Sequence, residues 1–134
     1  MSDGVLGTQA SLAADIVLLL EIAMGAGLLA GAWLARAKCY RQHGWCQSII
    51  VILNVSVIAL TMAPPFARKY FGLATAHAAL GSITELAALY VLLAAGTRLL
   101  PERLRLARYK LCMRTVLVLW CLVLFLGFAT YARW

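Results

Sequence analysis

Charged residues are scarce in this chain. Only 13% of its 134 residues are Asp, Glu, Lys or Arg, and just five are acidic, whereas 64% are hydrophobic and the mean hydropathy is +0.90. Soluble domains are about a quarter charged and about half apolar, so the composition excludes an ordinary soluble domain. A water-soluble helical bundle is excluded as well, because the apolar stretches hardly show the polar face that such helices need.

The chain also lacks the motifs of soluble enzymes. It contains no phosphate-binding loop, dinucleotide fingerprint, zinc-protease motif or nucleophile elbow. Its two histidines lie at opposite faces and do not suit a catalytic triad. No basic segment precedes the first apolar run, so we expect no cleaved signal peptide. Catalysis by this chain alone is not expected.

Four runs of about 20 apolar residues are present instead, and each is long enough to cross the roughly 30 Å hydrocarbon core of a bilayer. The predicted spans are 14–35, 45–63, 74–96 and 111–130. Only short loops and tails remain outside them, so residues 1–134 form one domain. The sequence predicts an all-α integral membrane protein, an up-and-down bundle of four antiparallel transmembrane helices.

Basic residues are concentrated in two connections. These connections contain Arg36, Lys38, Arg41, Arg98, Arg103, Arg105, Arg108, Lys110 and Arg114. The opposite side has only Arg68, Lys69 and Arg133. The positive-inside rule then places both basic connections in the cytoplasm and both termini outside. The net charge of +7 reflects this topology rather than a nucleic-acid partner.

The third span carries polar groups that a lipid-facing helix would not keep. His77, Gly81 and Glu85 follow one another at four-residue intervals, so they share one side of the helix. An ionisable carboxyl near the middle of a span is expected to face protein, water or a cofactor.

Haem b is the first ligand that this pattern predicts, since membrane helices hold haem through histidine. His77 is one candidate ligand of the iron, with Arg68 and Lys69 close by for the propionates. Gly81 leaves room for the ring, and Met62 lies at a suitable depth to be a second ligand.

His43 is the other candidate ligand of haem iron, at the inner edge, with Met113 at a similar depth. About 20 residues at 1.5 Å each separate His43 from His77, or roughly 30 Å, so the two cannot share one haem. The alternative is that His77 hydrogen-bonds inside the bundle and His43 is an interfacial residue.

A buried polar cluster is also expected. Its members are Glu21, Asn54, Thr61, Thr84 and Glu85. Gln47, Asn54 and Thr61 recur every seven residues and should point inward to bond across the bundle. Together with His77, the carboxyls can relay protons; the alternative is a purely structural cluster of hydrogen bonds.

A metal site is a third hypothesis. Cys39, His43 and Cys46 have C-x3-H-x2-C spacing, and Cys112 begins the last span at a similar depth. Four such ligands would suit zinc. A disulfide framework is not expected, because the cytoplasmic side is reducing.

Three short segments, CYRQHGW, HAALG and YKLCMRT, open spans two, three and four. In this respect the chain resembles, from Arg36 onward, a family of small four-span bacterial membrane proteins, some linked to cytochrome oxidase assembly. The resemblance implies a respiratory context, with His43 and His77 as the matching positions. Tyr109–Lys110 stands where a His–Arg pair is expected, so no ligand is carried over there.

The leading hypothesis is therefore a small integral membrane subunit or assembly factor of a respiratory or other electron-transfer complex that binds haem b through His77. Two alternatives remain open: a structural accessory subunit that fills space between larger membrane proteins, and a proton-coupled transporter. The expected partners are the lipid bilayer and other membrane protein subunits.

Overall fold

The computed structural model describes residues 11–62, 72–96, 101–104 and 108–133, and this part of the chain is all-helical. The four long helices are α1 (Leu12–Arg36), α2 (Tyr40–Val57), α3 (Leu73–Gly96) and α4 (Tyr109–Tyr131). A π-helical turn, Ile58–Met62, continues α2, and a short 3-10 turn, Glu102–Leu104, precedes α4. Each long helix is long and apolar enough to cross a membrane, which indicates a multi-pass membrane protein and confirms the prediction of four helices.

The connection between α1 and α2 is short and sharply turned. Lys38 has a φ of 62°, in the left-handed region that residues other than glycine rarely adopt. The backbone N–H of Cys39 donates to the Leu34 carbonyl at 2.9 Å, and that of His43 already donates to the Cys39 carbonyl at 2.9 Å. The chain therefore reverses and re-enters a helix within residues 37–39.

α2 begins at Tyr40, before Trp45, where the second span was predicted to start. Gly44 lies inside the helix, and a Cβ at this position would have no neighbour within 4 Å. The additional helical turn includes His43 and brings it against α1. This extension determines where one of the two histidines lies.

Each long helix packs against two others: α1 and α3 both lie between α2 and α4. Glycine allows close approach on two sides of α1. A Cβ at Gly27 would lie 2.8 Å from Ile50 Cδ1, and one at Gly25 would lie 2.5 Å from Leu124 Cδ1. Small residues at such contacts are typical of helices packed in membranes. The buried apolar cluster consists of Met24, Leu28, Ile50, Val51, Ala88 and Trp120.

Large apolar side chains are exposed on all four helices. Examples are Leu19 and Leu29 of α1, Ile52 of α2, Leu86 of α3 and Phe125 of α4. The buried polar side chains are Asp15, Glu21, Thr84 and Glu85. A water-soluble bundle would have the reverse distribution. The exposed apolar surface of the described helices therefore suits lipid, and several polar side chains are buried between them.

We expect Gly27→Leu to lower the free energy of unfolding by about 1–3 kcal/mol, the usual cost of overpacking a close contact. The new side chain would collide with Ile50, which already lies close to the Gly27 backbone. The adjacent Ala26 is exposed, so Ala26→Leu is the matched control and should be nearly neutral. Denaturant unfolding of the protein in detergent micelles measures both changes. Equal stability of the two variants would contradict the assigned α1–α2 contact.

Candidate functional site

A cavity of about 1180 Å³ lies at one end of the bundle, where α1 and α3 end and α2 and α4 begin. All four helices line it, and many of their lining residues have small side chains. The small residues are Ala32, Ala35, Gly44, Ser48, Ala88, Ala95 and Gly96. Small side chains on three facing helices leave space that packed leucines would fill. We refer to this end of the bundle as the basic end, for the charges described next.

Four cationic side chains, Arg36, Arg41, Lys110 and Arg114, line the cavity. They come from α1, α2 and α4 and are all exposed. Among the residues that the structure describes, no acidic side chain lines the cavity. The mouth is therefore strongly positive, which favours a ligand with anionic groups. Arg36 and Arg114 are separated by most of the chain and are brought together only by the fold.

The deeper wall of the cavity is apolar. Leu28, Val51, Ala88 and Trp120, all members of the buried apolar cluster, contribute to it. Trp120 is only 5% exposed and presents the largest side chain of this group. A cavity with an apolar floor and a charged mouth suits an amphipathic ligand, and its volume is of the order found for cofactor sites.

His43 lies in the wall of this cavity, and its ring is held in one orientation. Nδ1 is 2.7 Å from the Gly31 carbonyl oxygen of α1. Because a carbonyl only accepts, Nδ1 must donate, and in the neutral imidazole this tautomer leaves the lone pair on Nε2. A second-shell bond of this kind is the usual support for a metal-ligating histidine.

Met113 lines the same cavity from α4. The structure therefore brings together the two residues that the sequence paired by depth at the inner edge. The cavity is therefore lined by a histidine, a thioether, four cationic side chains and an apolar wall.

The surroundings of His77 are different. Its Nδ1 donates to the Val123 carbonyl at 3.1 Å. A Cβ at Gly81 would lie 3.6 Å from Val123 Cγ1, so α4 packs into the gap that the sequence assigned to a ring. The predicted propionate partners Arg68 and Lys69, and the Met62 side chain, lie outside the described residues.

The two histidines contact α1 at different levels. His43 bonds to Gly31, whereas His77 lies near Glu21, since both His77 and Glu21 closely approach Gly127 of α4. The levels of Gly31 and Glu21 differ by about 15 Å of helix rise. Both histidines cannot bind one iron.

The predicted polar cluster is present in part. Asn54 Nδ2 donates to Glu85 Oε2 at 2.7 Å and links α2 to α3, while Glu85 Oε1 is buried without a partner among the described residues. Thr84 is buried, with its hydroxyl donating to the Leu80 carbonyl of its own helix. Thr61 is exposed and donates to its own helix, so its assignment to a buried cluster is wrong.

One interhelical bond was missed by the sequence analysis. The Tyr131 hydroxyl donates to the carboxylate of Asp15, which is 1% exposed, and the bond links α4 to α1 at the end opposite the cavity. The sequence signal for this bond was Asp15 in the first turn of the apolar helix α1, because a carboxyl that is buried there requires a hydrogen-bond partner.

The zinc hypothesis is wrong. Within the described part of the chain, no three His, Cys, Asp or Glu side chains come close enough to hold a metal ion. Cys46 Sγ instead donates to the Gly27 carbonyl at 3.4 Å, and Cys39 Sγ lies 3.7 Å from the Ala37 carbonyl. Because Cys39 precedes α2 and Cys46 lies inside it, their thiols belong to different local environments.

Asn54→Ala is expected to lower the free energy of unfolding by about 1–3 kcal/mol, because it leaves the buried Glu85 carboxyl without its amide donor. The double variant Asn54→Leu, Glu85→Leu should recover most of that loss, since removing both polar partners avoids the unpaired group.

Ser56→Ala is the matched control for Asn54→Ala, because the exposed Ser56 hydroxyl bonds only to Ile52 of its own helix. It should leave stability nearly unchanged. Denaturant titration in micelles compares all variants. A double variant less stable than Asn54→Ala would contradict the interpretation.

Comparison of the chain with protein-family models, with curated proteins and with solved structures found no match. The basic cavity, the orientation of His43 and the interhelical polar bonds are therefore the features from which function has to be inferred.

Proposed function

We propose that this chain is a small integral membrane subunit or assembly factor of an electron-transfer complex, and that it binds haem b in the cavity at the basic end. The observation that carries the proposal is His43. Its ring lies in the wall of a cavity of about 1180 Å³, with Nδ1 bonded to Gly31 and Nε2 free to bind a metal. The sequence favoured His77 as the haem ligand, but α4 packs against that residue.

In this proposal, His43 would hold the iron through Nε2, and Met113 would offer a second ligand. Two or more of the four basic residues at the mouth bind the propionates, since arginine and lysine form strong charge-assisted bonds to carboxylates. Trp120 and the apolar floor exclude water from the ring. When bound, haem b supplies a one-electron couple inside the membrane.

We further propose that the helices form an antiparallel bundle across a bacterial inner membrane, with both termini outside. Two hydrogen bonds between α1 and α2 support the antiparallel direction. His43 bonds to Gly31, and Gln47, further along α2, bonds to Leu28, which comes earlier in α1. The concentration of cations at the basic end supports its cytoplasmic position. The exposed apolar exterior leaves surface for other membrane subunits.

Protein purified in detergent is expected to show Soret and α-bands, with the α-band sharpening on reduction by dithionite. His43→Ala should abolish these bands because it removes the proposed iron ligand. His77→Ala is the matched control: it removes the other histidine of the chain and should leave the spectrum unchanged. Visible spectra of the oxidised and reduced protein provide the test.

Two results would count against the proposal in different ways. Bands that disappear in His77→Ala and persist in His43→Ala would move the cofactor to the opposite end of the bundle. The other result is wild-type protein that lacks Soret and α-bands both as isolated and after incubation with haem. That result would remove haem binding from the proposal and leave only the role of accessory subunit.

Cys39 provides a test of topology. It is exposed in the connection between α1 and α2 and should lie on the cytoplasmic side. In a variant with the other three cysteines replaced by serine, a membrane-impermeant maleimide should label Cys39 in inverted vesicles and not in intact cells. Labelling in intact cells alone would reverse the proposed orientation. Cys39→Ser gives the background in both preparations.

A further inference from the structure

A line of titratable groups extends from the end opposite the cavity to the cavity floor. It contains Asp15 and Glu21 of α1 and His77 and Glu85 of α3. The three carboxyl side chains are buried: Asp15 is 1% exposed, Glu21 is 9% exposed and Glu85 is 6% exposed. Apolar side chains at these positions would give a more stable fold, because removing an ionisable group from water costs free energy. Their presence points to a use other than packing.

Glu85 is the innermost member of the line. Its Oε2 accepts from Asn54, but its Oε1 is buried and has no partner among the described residues. Ala88, one helical turn further along α3, already lines the cavity. A buried polar atom without a protein partner usually has water as its partner. Glu85 Oε1 is therefore placed to exchange a proton with water near the cavity floor.

Glu21 and His77 meet at Gly127 of α4. A Cβ on Gly127 would lie 3.1 Å from Glu21 Oε2, 2.9 Å from His77 Cε1 and 3.4 Å from His77 Nδ1. Glycine at this position thus lets a carboxyl and an imidazole approach the same stretch of backbone. Because His77 Nδ1 donates to Val123, its Nε2 is available to take and release a proton.

From these positions, we propose that Glu21, His77 and Glu85 form a proton route that leads from the end of the bundle opposite the cavity to the cavity floor. The route goes beyond haem binding and does not depend on it. His77 and Glu85 are about 12 Å apart along the helix axis, so water must bridge the intervals. Asp15, bonded to Tyr131, lies at the entrance.

Each transfer in this route is balanced. A proton from outside protonates the Glu21 carboxylate, and Glu21 passes a proton through water to His77 Nε2. His77 then releases it through water to Glu85 Oε1, and Glu85 delivers a proton to water in the cavity. Every group returns to its initial state, and the Nδ1 hydrogen bond of His77 to Val123 is retained throughout.

The test uses the full-length protein reconstituted into liposomes that contain a pH-sensitive dye. A potassium diffusion potential set by valinomycin drives protons inward, and the rate of internal acidification is measured. Wild-type protein should acidify the vesicles faster than protein-free liposomes do. Glu85→Gln should lose this excess rate while keeping an acceptor for Asn54, and Glu21→Gln should lose it with the Asn54–Glu85 bond untouched.

Thr84→Val is the matched control, because it removes a buried polar group next to Glu85 without removing a titratable one. It should retain the wild-type rate. Wild-type flux equal to that of empty liposomes would overturn the proposal. Flux that persists in both carboxyl variants, or is lost equally in Thr84→Val, would do the same and would leave the line as a structural cluster of hydrogen bonds.

Discussion

Side-chain hydrogen bonds close the ring of four helices. His43 and Gln47 bond α2 to α1. Asn54 bonds α2 to α3, His77 bonds α3 to α4, and Tyr131 bonds α4 back to α1. Because the exterior is apolar, polar groups on these helices must find their partners inside the bundle. Every neighbouring pair of helices is thereby linked by a specific polar contact, and the rest of the arrangement depends on this closure.

The closure has different consequences at the two ends. Toward the Asp15 end, Gly25 and Gly127 let α1 and α3 approach α4 closely, beside a carboxyl and an imidazole group. At the basic end, small residues face one another on three helices and leave a large cavity. Small residues therefore have two different effects in this fold. Where a large side chain of the neighbouring helix fills the space beside them, they allow close contact. Where no such side chain fills it, they leave a cavity.

Hydropathy and charge alone were sufficient to predict four helices, since span length and apolar content depend on local sequence. The inward direction of Asn54 and Glu85 was also predictable, because intramembrane polar groups avoid lipid. The position of Tyr131 against Asp15 was not, since it pairs the two ends of the chain. The start of α2 could not be predicted from the sequence, because a glycine such as Gly44 is compatible with both a helix and a loop.

The choice between His43 and His77 likewise required the structure. Both occur beside basic residues in the sequence, and only the packing of Val123 against Gly81 and the space around His43 distinguish them. Met113 and Arg114 join His43 from a helix that begins far along the chain. Composition predicts that cations lie at this end, but not that they surround one cavity.

The central claim, that the cofactor site lies at the basic end, is tested most directly by the magnetic relaxation of spin labels in the haem-loaded protein. One label is attached to Cys39, beside the cavity, and another to Ala132→Cys at the opposite end, each in a background without other cysteines. Ferric iron accelerates the relaxation of nearby labels. The account predicts strong acceleration at Cys39 and weak acceleration at position 132. Stronger acceleration at position 132, or none at either label, would contradict it.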